Sequence, residues 1–282
     1  MNQTASVANE TVDYGRQREP LSLLRLVTNL YFLYSVSLLS FFVIWDRVAE
    51  YHLLGDALVR PHLVALQLYQ LTQMKFAGQN LMGHIWASTQ RILVGFSIAS
   101  VIAVPLGLFM ALNKYANAIV KPVFDLFKPM PPIAWVSISI LWFGIGEASK
   151  VFIIIIGTFV PCLLNAYNGV RLVEPELYDV VRVLGGKRRD EIVQVCFPAS
   201  FPAIFAGLQI SLSIAWTCVL AAELMSSRDG LGFLIKRGMD THKPALVLGG
   251  MVLIAVAAWS TSQILGLVER KICPWKRSIE NL

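Results

Sequence analysis

Long runs of uncharged residues constrain this chain more than any other feature. Twenty uncharged residues separate Arg25 from Asp46, 22 separate Arg91 from Lys114, and 20 separate Lys150 from Arg171. A further 31 lie between Glu191 and Glu223, and 25 between Lys243 and Glu269. Each meets or exceeds the ~20 residues that a helix needs to cross ~30 Å of hydrocarbon. A sixth window, 129–146, holds 18 and opens Pro129-Met130-Pro131-Pro132. In lipid, backbone polar groups must be satisfied within the segment, which an open chain achieves only as helix. The expectation is an all-α integral membrane protein with six transmembrane helices.

Composition agrees with this reading. The 282 residues are 56% hydrophobic and 15% charged, too apolar for one soluble domain and too apolar for disorder. Residues 1–25 are polar and read as a cytoplasmic tail, followed by an uncleaved first span rather than a signal peptide. The net charge of +6 would raise nucleic acid as a partner of a soluble chain. Here the positive-inside rule explains it without nucleic acid. With both termini cytoplasmic, 15 basic residues fall inside and eight outside. The expected location is therefore a bacterial-type inner membrane, crossed several times.

Residues 26–85 are read as the first span with its external connection. That connection carries an interfacial helix around Leu66, Leu68, Leu71 and Met74. Residues 86–270 form the main transmembrane domain, and 271–282 a second cytoplasmic tail. Spans are placed at about 90–112, 129–146, 150–169, 200–222 and 246–267. The four cysteines form no CxxC pair, and His52, His62, His84 and His242 are scattered, so no metal site is expected. No GxxxxGK[ST] loop is present, so the chain is expected to bind no nucleotide and to carry no catalytic residue.

The segment 171–198 carries the densest local signals. Pro175 suits a first helical position, acids fill the first turn, and Gly185 suits a helix stop. Leu177, Val180, Val181 and Leu184 recur at helical spacing and make one face apolar. Basic residues Lys187, Arg188 and Arg189 open a second amphipathic stretch that ends at Pro198. Such a helix–Gly–helix is either an interfacial pair or a docking element for a cytoplasmic partner.

Spacing adds a resemblance. Asp179-Val180-Val181, three residues, Gly185, nine residues, then Val195-Cys196-Phe197-Pro198 resembles the EAA loop of ABC importer permeases. Asp stands for Glu, and Val-Val for Ala-Ala. Pro131-Pro132-Ile133-Ala134-Trp135, the run Leu141 to Lys150, Asn168 to Arg171, Ala221 to Leu224 and Gly230 to Phe233 resemble the nitrate/sulfonate/taurine branch of that family. The likeness runs from about 80 to 270 in the family's order.

The resemblance implies a type I (MetI-like) permease with an EAA-type coupling helix pair. It implies four partners besides the lipid bilayer: a second permease copy, two cytoplasmic ATPase subunits and an external substrate-binding protein. ATP and Mg would be used by the ATPase, with no cofactor on this chain. Asp179, Val180, Val181, Arg182, Gly185, Lys187, Arg188 and Pro198 would couple to it, although the basic residues could equally attract lipid headgroups.

For the translocation path the candidates are Glu223, Trp216, Thr217, Trp135 and Ser211. Polar groups at membrane depth are functional candidates by default. Each also has a plainer role: Glu223 a solvated helix end, Trp216 packing, Trp135 an aromatic belt, and Ser211 close helix approach. Glu223 would either orient a basic partner such as Arg228 or bind the amine of a zwitterion. The solute would be a small anion or zwitterion such as a sulfonate, taurine, nitrate or bicarbonate. The competing function is a stand-alone carrier or channel, which would favour broken helices.

Overall fold

The computed structural model describes residues 30–53 and 55–276. The expected N-terminal tail, the start of the first span and the end of the C-terminal tail lie outside the described residues. The chain divides into two units, 1–55 and 56–282. In the first, helix α1 (Leu30–Glu50) is long and apolar enough to cross a membrane. It carries a Phe41–Phe42–Trp45 aromatic cluster and an Arg47–Glu50 ion pair of 3.0 Å at its end.

The regular structure of the second unit's described residues is helical, apart from an isolated β-bridge between Phe76 and Gln79. Helix α2 (Pro61–Gln73) starts on a proline and buries Val64 and Leu71, so a helix is present in the connection where one was expected. Helix α3 (Leu81–Leu112) is followed by α4 (Lys114–Phe127) and α5 (Trp135–Phe143). Helices α6 (Glu147–Arg171), α7 (Pro175–Val183) and α8 (Phe197–Ser226) come next, then α9 (Leu231–Asp240) and α10 (Pro244–Ile272). Helices α3, α6 and α10, and the segment Arg188–Ser226 containing α8, pass the length and hydropathy test for spans.

One expected span is different. Residues 129–146 do not form a continuous helix. Helix α5 has nine residues, roughly 13 Å of rise against ~30 Å of hydrocarbon. It pairs with α4 as a helix bent by 75°. Five helices among the described residues are long and apolar enough to cross a membrane, and this bent pair counted as one unit would be a sixth. The cause is local: Pro129, Pro131 and Pro132 cannot continue an α-helix, since each lacks an N–H and its ring clashes with the preceding turn. At the break Lys128 N–H donates to the Phe124 carbonyl, Met130 N–H to Phe127 and Ala134 N–H to Pro131. At its start α4 is capped by Asn113, whose Oδ1 accepts from Tyr115 and Ala116 N–H at 2.9 and 3.3 Å.

Helices α3, α6 and α8 pack at short range through small residues. A Cβ on Gly107 would sit 2.5 Å from the Leu163 carbonyl, so no larger residue fits without separating α3 from α6. The main core joins Ile92, Ile153, Ile154, Leu212, Trp216, Val219, Leu234 and Leu246. A smaller core of Ala103, Met110, Cys162, Leu163 and Tyr167 lies toward the other end.

Candidate functional sites

At the end of the bundle where α3 and α6 begin and α8 finishes, charge is gathered inside the protein. Arg91 lies on α3 and is 4% exposed. A guanidinium has five N–H donors, and each has an acceptor here. Nε reaches Glu147 Oε2 at 2.5 Å, and Nη2 reaches Glu147 Oε1 at 2.7 Å and Asp229 Oδ1 at 2.5 Å. Nη1 reaches Glu223 Oε1 at 2.7 Å and the Asp229 carbonyl at 3.4 Å. Lys150 Nζ donates to Glu147 Oε1 at 2.8 Å. Three carboxylates thus surround two cations, drawn from α3, α6, α8 and the loop 227–230.

Glu223 is fully buried. Besides Arg91 it accepts from Ser88 Oγ, 2.8 Å from Oε1, and from Gly232 N–H, 2.8 Å from Oε2. Ser88 Oγ in turn accepts from Leu231 N–H at 2.8 Å. The first N–H groups of α9, which have no partner within their helix, are therefore satisfied by the cluster. His84 Nδ1 accepts from Gly230 N–H at 3.2 Å, which leaves Nε2 to donate to the Phe76 carbonyl at 3.0 Å. Gly230, at φ +101°, has to be glycine for two reasons. Its conformation is left-handed, and a Cβ would strike the Glu223 carboxyl. For Asp229 burial pushes the carboxyl up, but the hydrogen bond and charge of Arg91 override it and hold it below its ordinary value.

The sequence pointed to Glu223 and offered Arg228 as its basic partner. The structure corrects the pairing: Arg228 is exposed, and Arg91, 132 residues distant in sequence, is the partner. Glu223 is held by protein on all sides and is not a solvated helix end. Arg91, Glu147, Asp229, Ser88 and His84 were missed. The available signal was an arginine and a glutamate each interrupting an otherwise apolar stretch.

The other path candidates separate into two groups. Trp216 is 3% exposed in the main core, its Nε1 donating to Thr261 Oγ1 at 3.0 Å. Ser211 is buried where α6 meets α8, 2.8 Å from the Gly207 carbonyl and 3.0 Å from Cys162 Sγ. Both are packing residues in this chain. Trp135 and Thr217 instead line a half-open cavity of about 860 Å³ bounded by α3, α4, α5, α6 and α8. Its wall is apolar apart from Lys128, at the α4 terminus, and Thr217. Pro132 forms part of it and lies against Gly157, near the middle of α6, where a Cβ would be 3.3 Å from Pro132 Cγ.

The opposite end of the bundle carries α7. Glu174 is its N-cap and Pro175 its first residue. It stops where Gly185 takes φ +78°, with Gly186 N–H donating to the Val181 carbonyl at 2.9 Å, a Schellman closure. Lys187 N–H donates to Asp190 Oδ2 at 2.8 Å and starts the next turn. A π-helical turn, Glu191–Cys196, then leads into α8 through Phe197 and Pro198.

Arg182 bridges Asp179, at 3.1 Å, and Glu191, at 2.8 Å, and Arg188 reaches Glu191 at 2.9 Å. The expected apolar face is present and mostly bare. Leu177, Val180 and Leu184 are all exposed, Leu184 by 81%, and neighbouring Val183 is 86% exposed. Lys187 and Arg188 are also exposed, whereas Val181 and Pro198 are half-buried.

Comparison with known proteins places these features in context. Residues 103–276 match the family model described as binding-protein-dependent transport system inner membrane component. A putative ABC transporter permease protein of Methanocaldococcus jannaschii is 35% identical over 84% of this chain and 90% of its own length. The taurine transport system permease protein of Escherichia coli is 30% identical over 84% and 87%. A putative aliphatic sulfonates transport permease protein of Bacillus subtilis is 34% identical over 71% and 72%. Among solved structures, the inward-facing MetNI methionine ABC transporter shares the fold at a TM-score of 0.59 and 15% identity, over 68% of this chain and 95% of that one.

Proposed function

The chain belongs to the binding-protein-dependent transport system inner membrane components, in the nitrate/sulfonate/taurine branch of ABC importer permeases, and from that premise we propose how it works. It is the multi-pass transmembrane subunit of an ATP-driven importer, with N and C termini cytoplasmic. It pairs with a second copy of itself, receives its solute from an external binding protein, and is driven by two cytoplasmic ATPase subunits that bind ATP and Mg. The solute is a small anion or zwitterion of the sulfonate, taurine, nitrate or bicarbonate kind.

The observation that carries this reading is α7. It is a short helix fixed at both ends by its own sequence, Pro175 and Gly185, yet its leucines and valines are exposed. An amphipathic helix with a bare apolar face suits insertion into a groove on a partner. Asp179, Val180, Val181, Arg182, Gly185, Lys187, Arg188 and Pro198 are the coupling residues of this proposal. Arg182 braces α7 onto Glu191, which Arg188 also holds from the next turn, and Glu191 opens the turn that runs into α8. Closure of the ATPase around α7 would thus move α6 and α8, to which α7 is joined.

Pull-down from native membranes should recover a soluble ATPase with the chain. Transport that persists in a host lacking every candidate ATPase would overturn the proposal and favour a stand-alone carrier.

A further inference from the structure

Helix α7 meets the lead-in to α8 at two points, and both depend on an irregularity in the backbone. Every residue of α7 is exposed except Tyr178 and Val181, which are half-buried. Tyr178 meets Cys196, which is fully buried at the end of the π-helical turn Glu191–Cys196. Burial, and then the thiol beside it, push the Tyr178 hydroxyl up to about 12. Arg182 meets Glu191, buried at the start of the same turn, at 2.8 Å. Tyr178 and Arg182 stand four apart on an α-helix and so share a face. Glu191 and Cys196 stand five apart. In an α-helix five residues turn the chain by about 500°, which would leave those two side chains about 140° apart. Only one of them could then meet α7. Here Phe197 N–H donates to the Ile192 carbonyl, five residues back. Such a bond winds the chain more slowly and brings residues five apart toward one face. Pro198 gives the local cause: it has no N–H, and in an α register its ring would meet the Gln194 carbonyl.

We propose that this π-helical turn sets the register between α7 and α8, and that Glu191 is a positioning residue of coupling, holding α7 against the turn so that the two helices move as one lever. The inference rests on the coupling reading above and goes beyond it, because Glu191 is buried and acts through α7 rather than by touching the ATPase. A partner pressing on Leu177, Val180 and Leu184 loads Tyr178 and Arg182 across the helix. Contacts at both ends of the turn resist rotation of α7, which a single contact would permit. Arg188 steadies the acceptor, reaching Glu191 at 2.9 Å from the turn before it.

The test uses the full complex in membrane vesicles, with the Cys196 thiol as a native reporter of the seam. Its labelling by N-ethylmaleimide is corrected with a Cys196→Ser chain for the other three buried cysteines. Glu191→Gln should speed the labelling about tenfold, the weight of one charged hydrogen bond. Arg182→Gln should speed it too, and the double variant should match Glu191→Gln alone, because the two act through one contact. Deleting Val193 shortens the turn to an α register and should speed labelling although Glu191 is present. Transmission is read at Thr217→Cys on α8, over the background of the parent chain. ATP with vanadate should change the labelling rate of that thiol, and adding Glu191→Gln should abolish the change. A chain that merely folds poorly labels faster with and without nucleotide. Cys196 labelling indifferent to Glu191→Gln and to the Val193 deletion, effects of Arg182→Gln and Glu191→Gln that simply add, or an undiminished nucleotide response in Glu191→Gln overturns the assignment. A Thr217→Cys thiol that ignores nucleotide in the otherwise wild-type complex overturns the coupling reading instead, and Cys196 labelling is read independently of that result.

Discussion

At one end of the bundle Arg91 has all five N–H groups bound to carboxylates and a carbonyl, and Glu223 is fully enclosed. At the other end Arg182 holds Asp179 and Glu191 in the open while Val183 and Leu184 stand 86% and 81% exposed. The two ends use the same residue types for different purposes. Inside, ion pairs are fully hydrogen-bonded because an unpaired charge there is very costly. Outside, ion pairs contribute little to stability and set the angle at which an apolar surface is presented. The first end satisfies its charges within the chain, and the second leaves an apolar face uncovered among the described residues.

This contrast can be broken most forcefully at Arg91. Arg91→Met leaves Glu223 buried without a cation, and removing one partner of a buried pair costs about 3–5 kcal/mol. The midpoint of thermal unfolding in detergent should fall sharply, read by exposure of the four buried thiols. Arg91→Met combined with Glu223→Gln should recover part of the loss. A midpoint equal to wild type for the single variant would show that the cluster does not hold the helices.

A mid-sized effect belongs to the other end and should spare stability. At Gly185 an added Cβ meets nothing within 4 Å, so Gly185→Val costs only backbone strain, about 1–3 kcal/mol at φ +78°. The α7 stop should then shift, and ATPase recovered by co-purification should drop about tenfold with little change in the unfolding midpoint. Normal recovery of the ATPase would detach α7 from coupling.

The smallest effect sharpens the comparison through pH. Because Asp229 titrates below its ordinary value of 3.8 in the folded chain, its ionised form favours the fold. That contribution is complete above the ordinary value and fades as pH falls through the lowered one. Asp229→Asn should therefore flatten the acid limb of unfolding midpoint against pH, with little change at neutral pH. A parallel acid limb would assign the acid sensitivity elsewhere.

Legibility in the sequence followed the range of the interactions. The α7 segment was readable because its determinants are local: a proline at the start, a glycine at the stop, and a second proline at the entry to α8. The long helices were readable from hydropathy, but their starts were misplaced. The span drawn from about 90 begins at Leu81, and that drawn from 150 begins at Glu147. Charge-free windows end at Arg91 and Lys150, whereas the helices run through both because Glu223, Asp229 and Glu147 neutralise them. Residues 129–146 were read as one span because a count of uncharged residues measures polarity and not continuity. The Arg91–Glu223 pairing had no periodic signature at all, since it depends on how α3 and α8 lie together.

The break between α4 and α5 has a consequence for hydration. An interrupted span ordinarily leaves N–H groups that demand water or a protein acceptor. In this one, Pro129, Pro131 and Pro132 have no N–H, and those of Lys128, Met130 and Ala134 are already bonded to carbonyls. The interruption therefore does not need a standing column of water to satisfy these donors. The same prolines that bend the chain thus spare the bend the unsatisfied donors it would otherwise create.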